Sequence, residues 1–72
     1  MKVITTYVKT TAWDDKRAVE RMFDTLENAV NYANNDKFGK WDTDYTFYNV
    51  TLYADENGRL FEEKVRIENV ER

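Results

Sequence analysis

One short turn signal in the C-terminal third constrains the fold more than any other segment. Residues Asp55–Gly58 join two strand-like runs, Tyr45–Ala54 and Arg59–Val70. An Asn-Gly pair in this position is typical of a tight β-hairpin. Because side chains alternate between the two faces of a strand, the number of loop residues decides which side chains of the two strands share a face.

An even-numbered loop keeps the apolar residues of both strands together. A two-residue turn at Asn57-Gly58 sets Val50 opposite Val65, and a four-residue loop keeps the same faces. A three-residue loop ending at Gly58 sets Val50 opposite Lys64 and mixes core with charge. The pattern therefore predicts an even-numbered loop, with an inward face of Tyr48, Val50, Leu52, Ala54, Phe61, Val65 and Ile67. The predicted outward face consists of Phe47, Asn49, Thr51, Tyr53, Glu62, Lys64, Arg66 and Glu68.

The middle of the chain carries the pattern of an amphipathic helix. Asp24 and Glu27 have the spacing of a capping box, which predicts Asp24 as the N-cap. Apolar residues then recur at i, i+3, i+4 and i+7, on one helical face. These residues are Leu26, Ala29, Val30 and Ala33. The helix is expected to end at Asn35 or Asp36.

The N-terminal third predicts two further strands. Lys2–Lys9 is rich in β-branched and aromatic residues and is expected to be a central strand, whereas Thr10–Lys16 is expected to be a loop. Arg17–Phe23 is the second predicted strand. The chain is thus predicted to have an α+β fold in the order ββαββ, with a four-stranded, mainly antiparallel sheet and one helix on one face. At 72 residues it is expected to form a single domain, residues 1–72.

Histidine, cysteine, serine, glutamine and proline are absent. The commonest nucleophiles and the usual base near neutral pH are therefore missing. The two glycines stand singly, which excludes a phosphate-binding loop. Asp14-Asp15 and Asp42-Thr43-Asp44 lack the spaced, glycine-containing pattern of a calcium loop. The sequence predicts a protein that is not an enzyme and that has no catalytic residue, metal or cofactor.

The net charge is −3, and the acidic residues are concentrated in the second half. Residues 42–72 hold eight of the 14 acidic residues but only four of the 11 basic ones. Nucleic-acid binders normally carry a basic surface, so this charge favours a basic protein partner over a nucleic acid. No apolar run approaches the roughly 20 residues of a membrane span. A soluble, cytoplasmic protein is expected.

Aromatic residues make up 15% of the chain, and some of them are expected at the surface. The even-loop register exposes Phe47 and Tyr53, and Trp41 falls beside a loop. Exposed aromatic and charged residues together are typical of a protein interface. The predicted partner-binding residues are Trp41, Asp42, Asp44, Phe47, Tyr53, Glu62 and Glu68. Two alternatives remain open: single-stranded nucleic acid stacked on the open sheet face, and a homodimer whose sheet faces or edges complete the core.

Two resemblances add expectations. Asn31–Asp36 followed by Gly39–Asp42 is similar to the helix end and following strand of the immunoglobulin-binding domains of streptococcal protein G, which are also ββαββ. That similarity implies a β-grasp-like arrangement and does not extend to immunoglobulin binding. In size, missing nucleophiles, the Phe23–Ala29 segment and the acidic second half, the chain resembles small acidic accessory proteins of phages and mobile elements. Some of those proteins inhibit host nucleases or other defence proteins, which implies an inhibitor.

Overall fold

A computed structural model describes residues 1–13, 18–35 and 44–72. Its elements are β1 (Lys2–Trp13), β2 (Ala18–Phe23), α1 (Leu26–Asn35), β3 (Asp44–Ala54) and β4 (Leu60–Ile67). The strands form one sheet in the order β2-β1-β3-β4, and each neighbouring pair is antiparallel. The predicted α+β fold with ββαββ order is confirmed.

The first strand lies inside the sheet, between β2 and β3, as predicted. It is longer than expected, because Thr10–Trp13 continues the strand. Thr10, for example, pairs with Arg21 of β2 and with Phe47 of β3. The prediction of a loop beginning at Thr10 is therefore wrong, and the rest of that predicted loop lies outside the described residues. A register shift between Val3 and Thr5 introduces a bulge near the start of β1.

The strand order departs from a β-grasp sheet, in which the first and last strands lie side by side in parallel. Here β1 pairs with β3, and β4 lies at the edge beyond it. The chain returns from α1 into the position beside β1, so β4 cannot lie there and pairs with the outer side of β3. Among the described strands, the arrangement implied by the resemblance to protein G domains is not present.

Helix α1 begins one residue later than the capping box predicts. The Thr25 hydroxyl accepts a hydrogen bond from the Asn28 N–H at 3.2 Å, and the Thr25 carbonyl accepts one from the Ala29 N–H at 3.2 Å. Thr25 is therefore the N-cap, and the prediction of Asp24 is wrong. A β-hydroxyl directly before Leu26 caps the third helical residue, which leaves Glu27 outside the capping-box position.

The helix packs on the sheet through its small residues. Ala29 and Ala33 are buried with Val8 of β1 and Phe47 of β3. Alanine has no bulk beyond Cβ, so the helix axis can lie close to the Phe47 ring. The predicted apolar stripe is confirmed, because Leu26 and Val30 also pack against this cluster. The half-buried residues around the cluster are Phe23, Leu26, Val30, Tyr45, Ile67 and Val70.

The hairpin between β3 and β4 has a three-residue loop, Glu56–Gly58. The Asp55 N–H donates to the Arg59 carbonyl at 2.9 Å, and the Gly58 N–H donates to the Asp55 carbonyl at 3.1 Å. Gly58 has φ +80°, the left-handed residue that follows a type I turn in this hairpin class. The Asp55 carboxylate supports the turn by accepting the N–H groups of Asn57 at 2.9 Å and Arg59 at 2.8 Å.

This odd loop makes the predicted register wrong. Phe47 pairs with Ile67 and Val50 pairs with Lys64, so residues of the same parity share a face. Odd-numbered residues of β3 and β4 lie on the helix side of the sheet, and even-numbered residues lie on the opposite face. The β3 faces are therefore inverted relative to the prediction. Val50 lies on the opposite face and is still buried, between its paired neighbours Tyr7 and Lys64.

Replacing the turn glycine tests this loop. Gly58→Ala is expected to lower the free energy of unfolding by about 1–2 kcal/mol, because an L-residue is strained at this φ. A Cβ on Gly58 would meet no atom within 4 Å, so the cost is conformational and not steric. Gly58→Asn is the matched control and is expected to lose less, since asparagine tolerates the left-handed region. Urea denaturation measures both variants, and equal stability of Gly58→Ala and the parent would contradict the assigned turn.

Candidate protein interface

The helix is too short to cover the sheet. Its ten residues span about 15 Å, whereas the 11 residues of β3 span about 37 Å. The helix packs near Phe47, in the first half of β3. Within the described part of the chain, no helix therefore lies above the second half of β3 and its neighbours on β1 and β4.

An apolar row crosses three strands at this uncovered end. Val3 pairs with Tyr53, and Tyr53 pairs with Phe61, so the three side chains are neighbours on the helix side of the sheet. Val3 is 52% exposed and Phe61 is 42% exposed, while Tyr53 is half-buried. Together with the exposed Met1 these residues form what we call the end patch: Met1, Val3, Tyr53 and Phe61.

Three residues of the end patch, Met1, Tyr53 and Phe61, line a groove with acidic residues beside it. The groove has a volume of about 390 Å³, and Glu62 and Glu63 complete its lining. Asp55 and Glu56 lie in the adjacent turn. Lys2 and Arg59 are the basic residues next to these positions in the chain. An exposed apolar cluster with charged neighbours is the usual composition of a protein-binding surface.

The opposite face of the sheet carries aromatic and charged side chains of mixed sign. The Tyr7 hydroxyl donates to a Glu62 carboxylate oxygen at 3.4 Å, a weak contact. Lys9 and Glu20 form an ion pair at 3.3 Å. The Lys64 ammonium lies 4.6 Å from the centre of the Tyr48 ring, within the range of a cation–π interaction. Acidic and basic groups thus offset each other across this face.

Two of the predicted interface aromatics, Phe47 and Tyr53, differ in their burial and in their position relative to the helix. Phe47 is 3% exposed and belongs to the core, so its predicted exposure is wrong. The odd loop turned it toward α1, where it meets Ala29 and Ala33. Tyr53 has the same parity, but it lies six residues further along β3, beyond the helix, and joins the end patch.

The predicted acidic residues do not form one surface. Asp44 and Glu62 are exposed on the opposite face of the sheet. Asp44 begins β3, whereas Glu62 of β4 pairs with Leu52 near the other end of β3, so the two are about 27 Å apart. Glu68 is exposed just after β4. Trp41 and Asp42 lie outside the described residues. Of the described members of the predicted set, only Tyr53 and Glu62 border the same groove, and they lie on opposite faces of the sheet.

Within residues 1–13, 18–35 and 44–72, no group of three or more acidic residues is arranged to hold a metal ion. The aspartates at 14, 15 and 42 lie outside these ranges. No helix in the described part of the chain is long and apolar enough to cross a membrane.

The sequence-based prediction missed Met1, Val3 and Phe61 as surface residues. The predicted lengths of the elements indicate that part of the sheet is uncovered. A helix of about ten residues is less than half as long as a strand with the same number of residues, so it cannot cover the whole strand. Their grouping needed the strand order, which places β1 beside β3. No protein-family model, curated protein or solved structure matches this chain.

Proposed function

We propose that this chain is a non-enzymatic protein-binding module and that it acts in the cytoplasm as an inhibitor of a basic, nucleic-acid-handling protein. The observation that carries the proposal is the end patch, an exposed apolar row across β1, β3 and β4. Val3, Tyr53 and Phe61 lie on strands, so the sheet backbone holds them in a fixed geometry, and no described helix covers them.

The end patch and its acidic neighbours contribute to partner binding in two ways. Val3, Tyr53 and Phe61 supply apolar and aromatic contact area, which dominates the energy of protein interfaces. Glu63 and the acidic turn supply negative charge, which speeds encounter with a positively charged surface. A partner whose basic surface normally binds nucleic acid would have that surface occupied. Inhibition would then follow from competition, with no chemical step.

Charge introduction into the end patch tests this proposal. The immobilised chain is incubated with lysate of its natural cell, and bound proteins are identified by mass spectrometry. Val3→Asp and Phe61→Asp are each expected to reduce binding of the specific partner at least about tenfold, since a buried interface carboxylate is left unpaired. Binding is also expected to weaken as salt is raised, because the charges on both sides are screened.

Met22→Asp is the matched control. Met22 is an exposed apolar residue on β2, and its pairing with Lys9 places it on the face opposite the helix. This variant is expected to retain the partner. Equal loss in all three variants, or a captured protein that is acidic, would contradict the proposed interface.

A second function is supported by the face opposite the helix. Tyr48 lies under Lys64, and Trp13 is an exposed aromatic residue at the end of β1. Aromatic rings beside cations can stack the bases of a single strand. The described strand residues of this face carry four basic groups against three acidic ones, which is a weak basic excess. They are Lys2, Lys9, Lys64 and Arg66 against Glu20, Asp44 and Glu62.

Titration with oligonucleotides separates the two functions. Tryptophan fluorescence is followed at low salt while oligo(dT) or oligo(U) is added. The protein-binding proposal expects no saturable quenching. Saturable quenching that is lost in Tyr48→Ala and retained in Phe61→Asp would assign the function to the opposite face instead.

A further inference from the structure

The outer edge of β4 is a second feature of the surface, and it shares Phe61 with the end patch. Asp55 and Arg59 are joined by a backbone hydrogen bond, and hydrogen-bonded pairs alternate along an antiparallel ladder. Odd-numbered residues of β4 therefore bond to β3. The N–H and C=O groups of the even-numbered residues point to the outer edge. These residues are Leu60, Glu62, Lys64 and Arg66.

No described segment pairs with this edge. The chain turns away after β4 at Asn69, which has φ 57°, and Val70 packs against the core on the helix side. Arg72 then lies over the Tyr45 ring and donates to the Ala33 carbonyl. The eight residues of β4 keep one register with β3 and contain no bulge or proline. Such an edge is a template for a further strand.

We propose that β4 pairs antiparallel with β4 of a second copy of this chain, about a two-fold axis at Glu63. The two sheets then join into one sheet with both helices on the same side. In this register Glu62 lies opposite Lys64 of the second copy, and Phe61 lies opposite Val65 of the second copy. The two-fold axis makes each of these pairs twice.

The sequence of β4 is complementary to itself in this register on both faces. Glu62 and Lys64 carry opposite charges, and their backbone groups are those that point outward. Phe61 and Val65 are 42% and 54% exposed, and facing each other would shield both side chains. They form a non-hydrogen-bonded pair, in which side chains approach most closely.

Neighbouring registers lose this complementarity. An axis at Lys64 sets Lys64 against its own copy and Glu63 against Val65. An axis at Glu62 sets two glutamates together and Phe61 against Glu63. An axis at Val65 sets Lys64 against Arg66. Only the Glu63 axis aligns opposite charges on one face and apolar side chains on the other, although it places Glu63 beside Glu63 of the second copy.

Charge reversal in the full-length chain tests this pairing, with sedimentation equilibrium over a concentration series as the measurement. The parent is expected to show a reversible monomer–dimer equilibrium. Glu62→Lys alone and Lys64→Glu alone are each expected to weaken it by about tenfold or more, because both symmetry-related pairs become repulsive. An equimolar mixture of the two variants is expected to form a heterodimer, in which every pair is again opposite in charge.

Further variants fix the register. Glu63→Gln is expected to strengthen the dimer, because it removes the like charges at the axis. Arg66→Glu is expected to change the dimerisation constant by less than about threefold, since Arg66 faces Leu60 of the second copy. A strong loss in Arg66→Glu would overturn the Glu63 axis. A parent that stays monomeric to about 1 mM, or a mixture of variants that fails to associate, would overturn the dimer.

Phe61 belongs to both proposed interfaces, so a residue outside β4 is needed to separate them. Val3→Asp changes the end patch and leaves β4 unaltered, so it is expected to reduce partner binding while dimerisation persists. The equimolar mixture of Glu62→Lys and Lys64→Glu also guards against misfolding of either variant. Restored association in the mixture requires both chains to be folded.

Discussion

Phe47→Ala is expected to lower the free energy of unfolding by about 3–5 kcal/mol, the largest effect of any single change considered in this chain. Phe47 is 3% exposed and contacts the helix through Ala29 and Ala33, so its removal leaves a cavity at the centre of the core. A small domain has little stability in reserve. Circular dichroism during urea titration is expected to show a chain largely unfolded at room temperature.

Phe61→Ala is the matched control, because the even-loop register assigned these two phenylalanines the opposite roles. Phe61 is 42% exposed on the edge strand and is expected to lose less than about 1 kcal/mol when truncated. A greater loss in Phe61→Ala than in Phe47→Ala would restore the even-numbered loop. Similar losses in both would mean that the helix covers the whole sheet face.

The helix was predictable because its signal is local. The spacing of Leu26, Ala29, Val30 and Ala33 follows from the helical repeat alone, and a helix needs no knowledge of the rest of the chain to place them on one side. The N-cap residue of this helix could not be predicted in the same way. Asp24 and Thr25 both have capping side chains, and sequence spacing cannot show which backbone amide each oxygen reaches.

The hairpin register was not predictable from apolar alternation, because β3 is apolar on both faces. Phe47 and Tyr53 occupy odd positions, whereas Tyr48, Val50 and Leu52 occupy even ones. Neither face of β3 is clearly polar, so the apolar alternation favoured the even-numbered loop only through the charged residues of β4. The turn determines the register of the hairpin. The Asp55 carboxylate accepts hydrogen bonds from two backbone N–H groups, and Gly58 adopts a positive φ, and together they stabilise the three-residue loop.

The end patch depends on contacts between distant parts of the chain. Val3, Tyr53 and Phe61 meet only because β1 lies beside β3, and the strand order cannot be obtained from local periodicity. The acidic residues failed as a predicted surface for a related reason. Asp44 and Glu62 are both exposed, but most of the length of β3 separates them. A count of the charges in residues 42–72 does not show how far apart those residues lie in the fold.

Thr10→Val is expected to raise the free energy of unfolding by about 1–3 kcal/mol, the cost of burying a hydroxyl without a hydrogen bond. Thr10 is 1% exposed on the helix side of β1, and within the described chain its hydroxyl has no hydrogen-bond partner. Valine replaces the hydroxyl with a methyl group of similar volume and keeps the β-branched shape that a strand favours.

Thr11→Val is the control that separates this effect from strand propensity. Thr11 is the next residue of β1, half-buried on the opposite face, and the same substitution there is expected to change stability by no more than about 0.5 kcal/mol. For a domain of this size, 1 kcal/mol corresponds to roughly 4–8 °C in the melting temperature, so the two variants are readily distinguished by thermal unfolding. A lower melting temperature for Thr10→Val would show that the hydroxyl is hydrogen-bonded in solution. A gain confined to position 10 would mean that the core contains a correctable polar defect next to Phe47, which natural sequences can retain because selection demands only sufficient stability.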